Sequence, residues 1–179
     1  ERGVRLLMNP PIRYTEDKEK LWRRLKDGTI DCVVTDHAPH TLEAKSVGYP
    51  KAPAGMPGVE TSLPLMLTHA IDGKCSVSDV VRWMCEGPAK VYNIENKGSL
   101  IEGYDGDLTL VDLETHRMIT DADTWTKVGW TPYDGFELTG LPMWTIVDGI
   151  PVHSRTKNGI FKGKPLVKPG ETGRSLSFR

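Results

Sequence analysis

The sequence predicts an α/β part followed by a small antiparallel β-rich unit, and three observations carry that prediction. Two short apolar runs, residues 4–8 and 32–36, flank a stretch with the spacing of an amphipathic helix. Apolar side chains then recur three and four apart between residues 60 and 94. Beyond Gly98 the pattern changes to strand-like alternation, with an Asp148-Gly149 turn between two β-rich runs.

Residues 4–8 run into Asn9-Pro10-Pro11, where the prolines force an extended exit and deny further ladder pairing. They read as a strand that delivers Asn9 to its C-terminal edge. Thr15 is then a fair N-cap, Glu16 and Asp17 suit the positive end of a helix dipole, and Leu21, Trp22 and Leu25 form an apolar stripe that ends at Gly28. Residues 32–35 are compact and β-branched, as a strand covered on both faces would be. Period two sends Cys32, Val34 and Asp36 one way and Val33, Thr35 and His37 the other; Pro39 stops the ladder. Strand, helix, strand predicts a βαβ unit with parallel neighbouring strands. An acid at the C-terminal end of a buried parallel strand is where a barrel enzyme keeps its chemistry.

Residues 37–58 form a Pro- and Gly-containing loop longer than a plain connection, which points to function. Its end, Gly55-Met56-Pro57-Gly58, offers backbone that can approach a ligand closely. Residues 60–71 predict a mostly buried helix. Ser76 with Asp79 resembles a capping box opening a helix that carries Val77, Val80, Val81, Met84 and Cys85, interrupted at Gly87-Pro88, with a turn or two more up to Ile94. Residues 108–113 and the Asp148-Gly149 hairpin supply the β-rich unit. The basic, Gly-rich tail after His153 is expected to wrap the surface or to move.

With 179 residues the chain can bury a core, and length favours one domain with room for an appendage. A net charge of -1 with both signs mixed argues against nucleic acid or a membrane surface as the main partner. No apolar run approaches the roughly 20 residues that cross a bilayer. Glu1-Arg2-Gly3-Val4 is no secretory signal, and Cys32, Cys75 and Cys85 are too few and scattered for a disulfide framework, so a reducing, cytoplasmic setting is expected. The first residues read as the middle of a fold, so a piece of a longer chain is expected.

Chemistry converges on the ends of the two predicted strands. Asp36 can be a metal ligand, a general base, or both. His40 can present a cation or a hydrogen-bond donor to a carboxylate or oxyanion, and Asn9 offers a donor and an acceptor. Structural roles stand beside these: an Asp at a strand end caps turns, a single His is commonly a satisfied one, and Asn before Pro is turn chemistry. His37, directed to the other face, reads as structural, as do His69, His116, His153 and the five tryptophans.

Asn9-Pro10-Pro11-Ile12-Arg13, Asp36-His37-Ala38-Pro39-His40 and residues 55–67, in that order and spacing, resemble the C-terminal portion of the dihydroorotases of the amidohydrolase superfamily. Residues 103–108 and 145–149 resemble the strands with which that family returns to its small β domain, whereas residues 116–130 match loosely. Hydantoinases and allantoinases share the aspartate and usually differ at the position of His40. The resemblance implies a (β/α)8 barrel whose last strands and helices lie in residues 1–97, followed by part of a small composite β domain in residues 98–179. It implies two zinc ions in a whole enzyme, with Asp36 as metal ligand and as the catalytic base and acid, Asn9 and His40 as substrate contacts, and the backbone at Ala54 and Gly55 as pocket lining. The implied reaction is the reversible conversion of N-carbamoyl-L-aspartate and L-dihydroorotate in pyrimidine synthesis, by attack of a zinc-bridging hydroxide. The family's other metal ligands, a His-x-His strand, a modified lysine and two histidines, are not in these residues, so few or no zinc ions are expected on this chain alone. Implied partners are the upstream part of the same barrel, a second copy, and aspartate transcarbamoylase, for which a non-catalytic relative would act as a scaffold.

Overall fold

The computed structural model describes residues 3–155 and 164–165. Helices come first and strands second: α1 (Thr15–Lys26), α2 (Leu42–Ser46), α3 (Ser62–Ile71), α4 (Val77–Val81) and α5 (Gly87–Val91), then β1 (Leu108–Met118), β2 (Glu137–Val147), β3 (Ile150–Ser154) and β4 (Lys164–Pro165). The chain divides into two compact units that interleave in sequence. One comprises Glu1–Ile30, Thr35–Ser62 and Met118–Glu137; the other comprises Asp31–Val34, Leu63–Arg117 and Leu138–Arg179.

In the first unit, Gly3–Leu6 is a 3-10 turn, with the Leu7 N–H donating to Val4 O, where a strand was predicted. Residues 32–36 are not a strand either. Both corrections have one cause. A strand exists through its ladder, and neither segment finds a partner strand among the described residues. The predicted parallel pair is therefore absent among them, and the period-two argument for Asp36 and His37 does not apply. Asp36 itself has φ +43, which ends any extended run. Helix α1 forms as its pattern predicts, with Glu16 and Asp17 in the first turn and Leu25 buried; Leu21 stays exposed. Its N-cap is Tyr14 rather than Thr15, and no side chain caps it. Inside the predicted loop, Thr41 accepts from the Ala44 N–H and starts α2, a helix too short to show a period.

The second unit holds α3 to α5 and the sheet. Helix α3 buries Pro64, Met66 and Leu67. The Thr68 hydroxyl shares its one hydrogen between Pro64 O and Thr139 O, at 2.8 and 3.0 Å, and accepts from the Thr139 N–H, fastening α3 to the start of β2. The Ser76–Asp79 capping box is present in both directions. Gly87-Pro88 does not interrupt the helix as predicted. Arg82–Glu86 opens into a π turn, in which the Gly87 N–H donates to Arg82 O. The wider turn seats the Pro88 ring, which would otherwise strike the carbonyl one turn back. Residue 87 must be small because a Cβ there would lie 2.4 Å from Asp31 O.

The sheet order is β1-β2-β3-β4. Strands β2 and β3 are antiparallel, Trp144 opposite Ser154 and Val147 opposite Ile150, with an irregularity between Thr145 and Ile146. Asp148 and Gly149 turn the hairpin with φ +51 and +78, as their sequence predicts. Strand β1 runs five residues beyond the predicted end, to Met118. Lys97 pairs with Asp105 at 3.0 Å and with Asp107, whose other oxygen accepts from the Asp148 N–H at 2.7 Å. The tail expectation falls largely outside the described residues. No helix among the described residues is long and apolar enough to cross a membrane.

Candidate functional site

All five residues singled out in the sequence, Asn9, Asp36, His40, Ala54 and Gly55, lie in the first unit. Three of them stand together. His40 Nε2 lies 3.0 Å from Ala54 O, so that nitrogen carries the hydrogen and donates it, which leaves Nδ1 for another partner. Gly55 is held between neighbours on two sides. Its N–H donates to Leu7 O at 2.9 Å, and a Cβ on it would meet Ala38 O at 2.5 Å and His40 Cδ2 at 3.2 Å. Gly55 is thus small because its own loop crosses here, whereas the sequence suggested the approach of a ligand.

Asn9 is exposed, two residues beyond the Leu7 carbonyl that receives Gly55, at a cis Asn9-Pro10 bond. Asp36 is exposed, and its carboxylate makes no hydrogen bond among the described residues. Its left-handed backbone is bracketed by two anchored neighbours. Thr35 lies against Gly58, whose Cβ would be 3.4 Å from the Thr35 Cβ. His37 Nδ1 accepts from the Gly58 and Val59 N–H groups at 3.1 and 3.3 Å. A non-glycine residue at positive φ persists where its surroundings over-determine it, and here His37 is hydrogen-bonded to the segment that Thr35 lies beside.

Sequence reasoning missed what lies beneath this rim. Lys45 is 1% exposed, and its ammonium donates to three main-chain carbonyls, Leu7 O and Pro53 O at 3.0 Å and Gly55 O at 2.8 Å. Burial pushes its pKa down. Trp130, fully buried, donates its indole N–H to His40 O at 2.8 Å and has Lys45 Nζ 5.9 Å and the Arg5 guanidinium 5.6 Å from its ring. Arg5 in turn grips Asp121 with both nitrogens, at 2.8 and 3.2 Å, and Asp121 Oδ1 accepts from the Thr131 N–H. Glu60 receives the Trp125 and Thr126 N–H groups, both at 2.8 Å. The loosely matching stretch is therefore fastened to this unit by charge-assisted bonds. Only the polarity of Asp121 and Glu60 was visible beforehand; a lysine on a five-residue helix gives no sequence signal for burial.

A cavity of about 620 Å³ beside Lys45 is lined by Gly3, Arg5, Leu42, Ser46, Thr131 and Asp134, among others. As for a metal, no three His, Cys, Asp or Glu side chains converge among the described residues. Asp36 supplies one carboxylate and nothing on the described chain joins it, so these residues do not by themselves fit a zinc site.

The Amidohydrolase family model matches residues 7–164. The chain is 38% identical over 177 residues to a dihydroorotase of Pyrococcus furiosus, covering 98% of this chain and 41% of that protein. It is 41% identical over 143 residues to a dihydroorotase of Staphylococcus aureus, covering 79% and 34%. A solved L-hydantoinase (dihydropyrimidinase) from Arthrobacter aurescens superposes with a TM-score of 0.85 at 35% identity, over 98% of this chain and 38% of that one. The chain thus spans well under half the length of the proteins it matches. A match over most of its residues places this chain in the amidohydrolase family.

Proposed function

We propose that this chain is part of a dihydroorotase, an enzyme that interconverts L-dihydroorotate and N-carbamoyl-L-aspartate, and that it supplies one rim of the substrate pocket. The observation that supports this best is the joining of His40 to Ala54 and Gly55 through the 3.0 Å bond to Ala54 O. That bond occupies Nε2 and leaves Nδ1 to meet the substrate, as a donor to its carboxylate when the ring is cationic. The backbone at Ala54 and Gly55 lines the pocket, and Asn9 approaches from the segment tied to Gly55 through Leu7. Asp36 holds and passes the proton that must reach the leaving ring nitrogen; its exposed carboxylate on a fixed turn suits that task. Residues 1–97 belong with a (β/α)8 barrel and residues 98–179 with a small β domain. Zinc, where the whole enzyme binds it, needs ligands from elsewhere than the described residues, so no step is assigned to it.

A second reading, a hydantoin-cleaving cyclic amidohydrolase, is favoured by the likeness to the L-hydantoinase. His40 separates the two. In the whole protein, His40→Ala is expected to raise KM for dihydroorotate at least about tenfold, the scale of a lost hydrogen bond to a charged group. An unchanged KM would reject the dihydroorotate assignment. A scaffold for aspartate transcarbamoylase is the remaining alternative, and wild-type turnover of dihydroorotate would exclude it as the sole role.

A further inference from the structure

We infer that Lys45 is the positioning residue of this rim: its buried ammonium binds Leu7 O, Pro53 O and Gly55 O at once, and so sets where Ala54, Gly55 and His40 stand. The geometry accounts for every donor. An ammonium has three hydrogens, and three carbonyls lie at 2.8 to 3.0 Å. These carbonyls come from two separate segments, the one that leads to Asn9 and the one that contains Ala54. Nζ therefore bridges them, beside the direct bond from the Gly55 N–H to Leu7 O. None of the three carbonyls belongs to a regular helix or strand, so no ladder fixes them. Their position depends on a point donor that a side chain carries in.

His40 is reached from the same place by two routes. Its Nε2 bonds Ala54 O, the carbonyl between two that Lys45 holds. Its own carbonyl accepts from the Trp130 indole, and Lys45 Nζ lies 5.9 Å from that ring. Arginine would not replace lysine here, because a planar fork cannot aim three hydrogens at three carbonyls around one nitrogen. The neighbouring cavity offers no competing ligand for Lys45, since its ammonium hydrogens are all used.

The role rests on the reading of His40, Ala54 and Gly55 as the substrate rim, and the experiment separates the two. In wild-type protein labelled with 15N and 13C, couplings across the hydrogen bonds from Lys45 Nζ to the Leu7, Pro53 and Gly55 carbonyl carbons are expected. A freely exchanging ammonium with no coupling would overturn the inference without any variant. Lys45→Met is expected to speed exchange of the Gly55 N–H at least about tenfold and to shift the His40 ring resonances, while amides of the Ser76 capping box stay unchanged. In the whole enzyme the same variant should raise KM for dihydroorotate about tenfold or more with kcat within about threefold. Should Lys45→Met not fold, the coupling measurement on the wild-type protein decides alone. Faster exchange spread evenly over the unit in Lys45→Met would overturn positioning. A displaced rim with an unchanged KM would uphold the positioning role and overturn the substrate assignment instead.

Discussion

Gly55 has φ +130, and a Cβ there would stand 2.5 Å from Ala38 O, so both torsion and space demand glycine. Gly55→Ala is expected to cost about 2–4 kcal/mol, the sum of a strained torsion and an overpacked contact. Urea denaturation of the variant measures it, and a loss below about 0.5 kcal/mol would contradict the crossing described. Trp130→Phe removes a buried hydrogen bond and part of a fully buried ring system, and is expected to cost about 2–4 kcal/mol, because it leaves His40 O without its donor and a void beside it. Asp36→Asn keeps the shape while removing the charge and exchanging one acceptor oxygen for a donor. It is expected to leave stability within about 0.5 kcal/mol, since no bond to this exposed carboxylate is broken. In the whole enzyme the same change should lower kcat by about 100-fold or more if Asp36 carries the proton. Of the residues just named, the sequence singled out Asp36, His40 and Gly55 because Pro and Gly bracket them, but misread the reason for Gly55, and it gave no sign of Lys45 and Trp130. Their importance comes from partners 8 to 90 positions away, and no local pattern encodes those.

At the scale of elements, two local signals were read correctly. The Ser76–Asp79 box and the Asp148-Gly149 turn depend on atoms within a few residues, so sequence suffices. Ser76→Ala is expected to cost about 1 kcal/mol, seen as a lower urea midpoint with unchanged slope. The strands predicted at residues 4–8 and 32–36 fail for the converse reason, because an apolar β-branched run is only a candidate until another strand meets it. The π turn at Arg82–Glu86 lies between these cases. Gly87-Pro88 signalled an irregularity, but not that it would be absorbed within a continuous helix by one wider turn. Lys97 tests the turn that joins β2 and β3 by titration. Its hydrogen bond to Asp107, above all, raises its pKa over 10.5. The stabilisation is therefore complete below the unfolded value and is lost as pH rises through the folded one. The stability gap between wild type and Lys97→Met is expected to be full below pH 10.5 and to narrow as pH rises above it; a gap that widens with pH would contradict the ion pair.

For the molecule as a whole, the family follows from the order and spacing of short motifs, and the match over residues 7–164 agrees with that reading. The chain spans 34–41% of the length of its dihydroorotase relatives, and its described residues gather no three metal-ligating side chains. The 179-residue chain on its own is accordingly expected to bind far less than one zinc per chain and to leave dihydroorotate uncleaved. Metal analysis after dialysis, with a turnover assay, checks this, and stoichiometric zinc with turnover would refute it. Many large apolar side chains are exposed, among them Leu100 at 84%, Tyr49 at 81% and Val34 at 60%.

By itself the sequence determined the amphipathic helix α1, the capping box and the hairpin turn, because each is written in residues a few positions apart, and it nominated Asp36 and His40 as candidates. The tertiary structure alone decided that residues 32–36 are no strand, that Gly55 yields to Ala38, and that Lys45 carries three carbonyls beneath His40. Those outcomes depend on which distant backbone arrives at a given place, and a buried ammonium or an unpaired strand is defined only by what surrounds it.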